Sequence, residues 1–173
     1  MPVLIHPKPV GQLQIIAKTV QDEYGLGDQK SQVICVTDIS GSMSGLFSSG
    51  IMDGLITNVA ALGLNLDDDG QVPSIALGTG ARQLPNITRE NVQSYVANHL
   101  KRLVGGGTSY APSINKVLDL VTPGDPALVL FFTDGDTDDA SKTEDAQSGW
   151  RVTTRSSGSS SASIPAVQHH SLF

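Results

Sequence analysis

Cysteine, positive charge and long hydrophobic runs are scarce in this sequence of 173 residues. Its single cysteine, Cys35, excludes an internal disulfide and favours a reducing compartment. The longest apolar run, ALVLFF (127–132), is far shorter than the roughly 18 residues that a membrane helix needs. The first ten residues, MPVLIHPKPV, lack the basic and apolar regions of a secretory signal. From these absences we expect a cytoplasmic protein that does not span a membrane.

Acidic side chains outnumber basic ones, 17 to 11, for a formal net charge of −6. A nucleic-acid-binding protein normally presents a basic surface, so this composition argues against a nucleic-acid partner. The acids all lie at or before Asp145, whereas residues 148–173 contain Arg151 and Arg155 and no acid. An acidic domain is suited to binding cations, although solubility is the commoner reason for an excess of acid.

Three parts of the chain differ in composition. Residues 1–30 contain apolar side chains at helical spacing and are predicted to form an N-terminal helical extension. Residues 31–147 are predicted to form the main domain. Residues 148–173 are rich in serine and show neither helical nor strand periodicity, so we expect a disordered tail there.

Apolar strands and amphipathic helices alternate in the main domain. Residues 33–37 and 127–134 have the character of central parallel strands, and residues 72–78 predict a strand nearer the sheet edge. Apolar residues at helical spacing predict helices between them, most clearly from Ile51 to Leu66. The alternation predicts an α/β fold, Rossmann-like, with an open, mostly parallel sheet and helices on both faces.

Polar side chains follow both central strands and also occur in one glycine-rich loop. These segments are TDISGSM (37–43), TDGD (133–136) and GGGTS (105–109). Ligands of open α/β sheets bind beyond the carboxyl ends of the strands, where the strand order reverses. If the two central strands are neighbours, the three segments converge at that point. The oxygen-bearing side chains that would meet there are Asp38, Ser40, Ser42, Thr108 and Asp134.

Carboxylate and hydroxyl oxygens are hard ligands. They suit Mg²⁺, Mn²⁺ or Ca²⁺ and are poor ligands for zinc or copper. Alternate residues of DISGS (38–42) can face one ion, and the glycines at 105–107 leave the loop free to bring Thr108 inward. Such a site keeps one coordination position open and is incompletely neutralised. It is therefore suited to accepting a carboxylate from outside the chain.

The set Asp38-x-Ser40-x-Ser42, Thr108 and Asp134 resembles the metal-ion-dependent adhesion site (MIDAS) of von Willebrand factor A (vWA) domains. The DDDG turn and the GGT-Y loop are similar to those of vWA proteins of bacterial tellurium and toxic-cation resistance. The resemblance implies that Ser40, Ser42 and Thr108 bind the metal directly, and that Asp38 and Asp134 bind it mostly through water. It also implies a non-enzymatic module of a bacterial stress response, in which Mg²⁺, Mn²⁺ or Ca²⁺ captures an Asp or Glu of a protein partner. No oligomeric state is predicted.

The resemblance ends before the chain does. A complete vWA domain has six strands in the order 3-2-1-4-5-6, and its last two strands follow the second metal aspartate. Nothing after Gln147 resembles two buried strands, so we expect a domain that lacks them and leaves residues 127–133 as a bare, apolar sheet edge. The segment WRVTT (150–154) is a weak candidate to pair there. We expect that the natural chain was truncated or frameshifted near Gln147.

Other interpretations of these segments stay open. A haloacid-dehalogenase-like, magnesium-dependent phosphatase would also place acids after two strands, but its first motif needs a carboxylate where Ser40 stands. A metal-free scaffold is a further alternative. The DDDG turn (67–70) is a solvated turn or a weak second cation site. Residues 134–145 have acids at calcium-loop spacing but lack the glycine and glutamate that such a loop needs.

Overall fold

The computed structural model describes residues 30–125 and 127–134, together with the backbone of residues 167–171. The strands in these residues are β1 (Gln32–Asp38), β2 (Val72–Leu77), β3 (Ala81–Ile87), β4 (Ala127–Thr133) and β5 (Val167–Ser171). The helices are α1 (Ser44–Ser48), α2 (Ile51–Leu66), α3 (Val92–Tyr95) and α4 (Tyr110–Leu120). A 3-10 turn at Gly41–Met43 leads into α1, and α3 continues through a π turn at Val96–Leu100 and a 3-10 turn at Lys101–Leu103. The predictions for residues 1–29 and 135–166 lie outside the described residues.

The five strands form one sheet in the order β3-β2-β1-β4-β5. Strand β1 pairs in parallel with both β2 and β4, and β4 pairs in parallel with β5. Only β3, at the edge of the sheet, is antiparallel to its neighbour β2. The predicted open, mostly parallel α/β sheet is therefore confirmed, and the two central strands are direct neighbours.

Strand β1 is buried on both faces because its side chains alternate between two apolar cores. Val33 and Cys35 contribute to a core that also contains apolar residues of α1, α2 and α3. Ile34 and Val36 contribute to a second core, on the opposite face, that is covered by α4. The prediction of helices on both faces is confirmed by this arrangement.

Helix α2 lies unusually close to the sheet at one point. A Cβ atom added at Gly63 would stand 2.3 Å from Cγ2 of Val72, the first residue of β2. No side chain fits at that distance, so the absence of one at position 63 allows the helix to approach the strand. The end of α2 is thereby set against the start of β2.

The outer edge of β4 differs from our expectation. The bare edge that we expected at residues 127–133 is incorrect, because β5 pairs with β4 in parallel from Val129↔Val167 to Thr133↔Ser171. An unpaired strand presents a row of free N–H and C=O groups, and a second strand satisfies them. Strand β5 lies within residues 148–173, where we expected a disordered tail, whereas the weak candidate at 150–154 lies outside the described residues.

Candidate functional site

The candidate site lies at the carboxyl ends of β1 and β4. Asp38 is the last residue of β1 and Thr133 is the last residue of β4, with Asp134 directly after it. The two strands are in register up to Thr37↔Phe132, so their ends are level. The chain passes from β1 to helices on one face of the sheet, whereas α4 precedes β4 on the other face. This is the point of reversal at which open α/β sheets bind ligands.

The carboxylate of Asp38 is completely buried, with 0% of the residue exposed. Its Oδ1 accepts a hydrogen bond from the backbone N–H of Ser40 at 2.7 Å, and its Oδ2 accepts one from the hydroxyl of Thr133 at 2.8 Å. Within the described residues, the ion pair that forms joins Lys30 to Asp68 at the other end of the sheet, and none involves Asp38. Within residues 30–125 and 127–134, the site thus contains a buried carboxylate with no basic side chain paired to it.

Two serine hydroxyls in the segment that follows Asp38 lie close to each other. Ser40 Oγ and Ser42 Oγ are 3.1 Å apart, and Ser40 is buried whereas Ser42 is exposed. Adjacent ligands of one octahedral Mg²⁺ ion lie about 3 Å apart, since each metal–oxygen bond is about 2.1 Å long. The spacing of the two oxygens therefore fits two neighbouring ligands of a small divalent cation.

The loop that carries Thr108 is hydrogen-bonded to the segment that carries the serines. Gly105 donates its N–H to the carbonyl of Ile39 at 2.7 Å, and Gly41 donates its N–H to the carbonyl of Gly106 at 3.0 Å. Gly105 and Gly106 have φ angles of 148° and 82°, which favour glycine over any other residue. Thr108 is itself buried, and its Cα lies within about 7.6 Å of the Gly106 Cα by chain length alone.

The structure therefore brings the predicted residues together to different degrees. Direct hydrogen bonds join Asp38 to the backbone of Ser40, and the hydroxyl of Ser40 to that of Ser42. The loop that carries Thr108 is joined to the same segment by the backbone bonds of Gly105 and Gly106. Asp134 directly follows the Thr133 that donates to Asp38, and its side chain is half-buried.

Two functional candidates were not identified from the sequence, namely Thr133 and Tyr110. The hydroxyl oxygen of Tyr110 lies 2.7 Å from that of Thr133, and both residues are buried. Their sequence signals are weak: a Thr before the second aspartate, and a Tyr two residues after Thr108. Only the fold shows that these side chains meet.

A cavity of about 330 Å³ lies at the opposite end of the sheet, where the parallel strands begin. Its walls include the acids of the DDDG turn, Asp67, Asp68 and Asp69, together with Asp125 and Lys30. Within the part of the chain that the structure describes, no three His, Cys, Asp or Glu side chains are placed to hold a metal ion. The alternative of a second cation site at the DDDG turn is therefore unsupported. At the carboxyl end, the candidate ligands are mainly hydroxyl groups rather than His, Cys, Asp or Glu side chains.

Among residues 30–125 and 127–134, no single helix is long and apolar enough to cross a membrane. Gly41–Ser48 and Ile51–Leu66, which meet at 83°, reach that length and composition only in combination.

Comparison with known proteins identifies a family and a similar solved structure. Residues 30–148 match the model of a family named vWA-TerF-like, described as the vWA found in the TerF C terminus. No curated protein matches this sequence. The structure of proximal thread matrix protein 1 from the mussel byssus is similar, with a TM-score of 0.51 and 16% sequence identity. The match covers 70% of this chain but only 35% of that protein, and it shows similarity of fold alone.

Proposed function

We propose that this chain, which belongs to the vWA-TerF-like family, is a non-enzymatic module that binds a divalent cation and, through it, a carboxylate of a protein partner. The observation that supports this most strongly is the state of Asp38. It is a fully buried carboxylate at the point of reversal in the sheet, hydrogen-bonded to one hydroxyl and one backbone N–H, with no basic side chain paired to it among the described residues.

The burial of Asp38 has a free-energy cost if its carboxylate is charged. Burying an ionised carboxylate is costly unless an opposite charge compensates it, and two hydrogen bonds recover only part of the cost. A divalent cation beside Asp38 would supply the missing compensation. The acids and hydroxyls of the site are hard ligands, which favours Mg²⁺ and Mn²⁺, and also Ca²⁺.

In this proposal the five residues have two roles. The hydroxyl oxygens of Ser40, Ser42 and Thr108 would bind the ion directly. The carboxylates of Asp38 and Asp134 would hold it mostly through water. A bound ion supplies positive charge with one coordination position open to a carboxylate from outside. Because Ser42 is exposed and its neighbour Ser40 is buried, the open position would face solvent on the side of Ser42.

A binding role is better supported than the phosphatase alternative. Position 40, where a phosphatase needs a general acid–base carboxylate, is a serine whose hydroxyl lies against that of Ser42. We therefore propose that the chain performs no catalysis.

The family suggests a setting for this activity. Since the family is defined on the TerF C terminus, we propose that the module acts in bacterial resistance to tellurite or toxic cations. A cytoplasmic location, a protein partner and the identity of the ion are parts of the same proposal.

The decisive test compares two serines of one segment. Ser40→Ala removes a proposed ligand, whereas Ser48→Ala removes an exposed hydroxyl that bonds only the carbonyl of Gly45 in its own helix. By isothermal titration calorimetry we expect Mn²⁺ binding in the wild type and in Ser48→Ala, and none in Ser40→Ala.

The partner is tested separately, with the wild-type chain as bait in a lysate of the source cell. We expect one protein to be captured in Mg²⁺ and released by EDTA, and mass spectrometry would identify it. Absence of Mn²⁺ binding to the wild type, or capture that is equally strong in EDTA, would overturn the proposal.

A further inference from the structure

We infer that Tyr110 and Thr133 are positioning residues of the metal centre. They form a hydrogen-bonded relay that orients the carboxylate of Asp38. This inference rests on the proposed function and adds two residues to it. The relay runs from the Tyr110 hydroxyl to Thr133 Oγ1 over 2.7 Å, and from Thr133 Oγ1 to Asp38 Oδ2 over 2.8 Å. All three residues are buried, with exposures of 5%, 0% and 0% in that order.

The direction of the relay follows from its chemistry. An ionised carboxylate has no proton to give, so Thr133 must donate its single hydroxyl proton to Asp38. In the bond between the two hydroxyls, Thr133 Oγ1 must then be the acceptor, which makes Tyr110 the donor. Hydrogen bonds that point the same way along a chain polarise one another in a low-dielectric interior. The relay thus directs two successive O–H dipoles at the buried negative charge.

The relay also lies where all three segments of the site meet. Asp38 ends β1, and Thr133 ends β4 immediately before Asp134. Tyr110 begins α4, two residues after Thr108. The same three side chains therefore link the β1 end, the β4 end and the loop of Thr108 on the face of the sheet covered by α4.

This placement has a consequence for the carboxylate. Oδ1 of Asp38 is held by the Ser40 N–H and Oδ2 is held by Thr133, so the carboxylate plane is fixed from both sides. Each oxygen retains acceptor capacity for a metal-bound water. Without the relay, only the bond from the Ser40 N–H to Oδ1 would hold the carboxylate plane. Loss of such supporting contacts typically weakens metal affinity by about 10–100-fold.

The test measures the Mn²⁺ dissociation constant by calorimetry in variants of the full chain. We expect Thr133→Val, which removes the hydroxyl and keeps the shape, to weaken binding by about 10–100-fold. Thr133→Ser, which restores the hydroxyl, should bind nearly as well as the wild type. Tyr110→Phe should weaken binding by less than Thr133→Val, because the bond to Asp38 itself remains.

A control and a double variant separate positioning from general damage to the fold. Ser113→Ala removes another buried hydroxyl bond of α4, from Ser113 to the carbonyl of Tyr110 at 2.7 Å, and should leave the dissociation constant unchanged. If Tyr110 acts only through Thr133, adding Tyr110→Phe to Thr133→Val should have no further effect on affinity. Two independent packing defects would instead multiply their effects.

The possible outcomes distinguish a failure of this inference from a failure of the proposed function on which it rests. Wild-type binding of Mn²⁺ with equal affinity in Thr133→Val and Tyr110→Phe overturns the relay and leaves the proposed function intact. Failure of Thr133→Ser to restore affinity also overturns it. A wild type that does not bind Mn²⁺ overturns both proposals together.

Discussion

The two ends of the sheet carry acidic side chains in opposite ways. At the amino end, Asp67, Asp68, Asp69 and Asp125 surround an open cavity of about 330 Å³. The ion pair there, from Lys30 to Asp68, joins side chains that are 56% and 82% exposed. At the carboxyl end, one carboxylate, Asp38, is completely buried and hydrogen-bonded at both oxygens. The amino end thus has more acidic side chains, but they are less firmly held than the buried carboxylate of Asp38.

This contrast shows why the number of acids is a poor guide to a cation site. Exposed carboxylates are compensated by water, and exposed ion pairs stabilise a fold by about 0–1 kcal/mol. A buried carboxylate cannot use bulk water, so its charge must be met by the groups around it. For this reason we propose the cation at Asp38 rather than at the amino end of the sheet.

Neutral contacts, rather than charges, organise the amino end. The Gln32 side chain donates to the carbonyl of Leu120 at 3.0 Å and accepts from the N–H of Thr122 at 3.3 Å, which ties the end of α4 to the start of β1. Gly63 allows α2 to touch Val72. Asp68, Asp69 and Asp125 are exposed, as expected of solvated side chains, whereas Asp67 is partly buried and accepts a backbone hydrogen bond from Val33.

The largest expected difference between the two ends is in metal-induced stability. Mn²⁺ at a hundred times its dissociation constant should raise the free energy of unfolding of the wild type by about 2.7 kcal/mol. Asp38→Asn keeps the shape but removes the charge, and should reduce this gain to near zero. Its matched control, Asp68→Asn, removes an acid from the amino end and should keep the full gain. Chemical denaturation with and without Mn²⁺ measures both.

The comparison fails if the two variants behave alike. Retention of the gain in Asp38→Asn would mean that Mn²⁺ stabilises the chain elsewhere. Loss of the gain in Asp68→Asn would place a cation in the amino-end cavity.

A second, smaller effect tests whether packing organises the amino end. Gly63→Ala forces a methyl group against the buried side chain of Val72, and overpacking of this kind costs about 1–3 kcal/mol. Gly54→Ala, in the same helix with no atom within 4 Å of the added carbon, should instead stabilise by about 0.5–1 kcal/mol. Urea denaturation measures both changes. Equal stability of the two variants would contradict the close approach of α2 to β2, and neither variant should change Mn²⁺ affinity.

The parts of the fold that could be predicted from the sequence are those in which apolar residues recur at a regular local spacing. Strand β1 is apolar on both faces because helices cover both, and α2 spans Ile51–Leu66 as its apolar spacing predicts. Two apolar strands that each end in an aspartate also indicated where a site would form. Their adjacency, which the argument required as a condition, is confirmed by the parallel pairing of β1 and β4.

Long-range contacts without a local signal were not predictable. Strand β5, VQHHS, has a weak strand pattern within a serine-rich stretch, and it is defined by its pairing with β4. Tyr110 and Thr133 are 23 residues apart, and nothing in their local sequence shows that their hydroxyls meet. The metal ligands stay a prediction, because the fold brings their segments together without testing the ion itself.

The smallest expected effect concerns the protonation of the amino end. Burial, and next the negative charge of Asp69, raise the pKa of Asp67 above its ordinary value of 3.8. The folded chain thus holds this proton more tightly than the unfolded chain, so the contribution of Asp67 to stability is full below pH 3.8 and is lost as the pH rises through the raised value.

Asp69→Asn should lower the pKa of Asp67, as followed by NMR titration of its carboxyl carbon, and Asp67→Asn should flatten the pH dependence of unfolding in that range. A cation bound in the cavity would act in the opposite direction, because a nearby positive charge lowers the pKa of a carboxyl group. A lowered pKa measured for Asp67 would therefore indicate a cation at the amino end of the sheet, where we expect none.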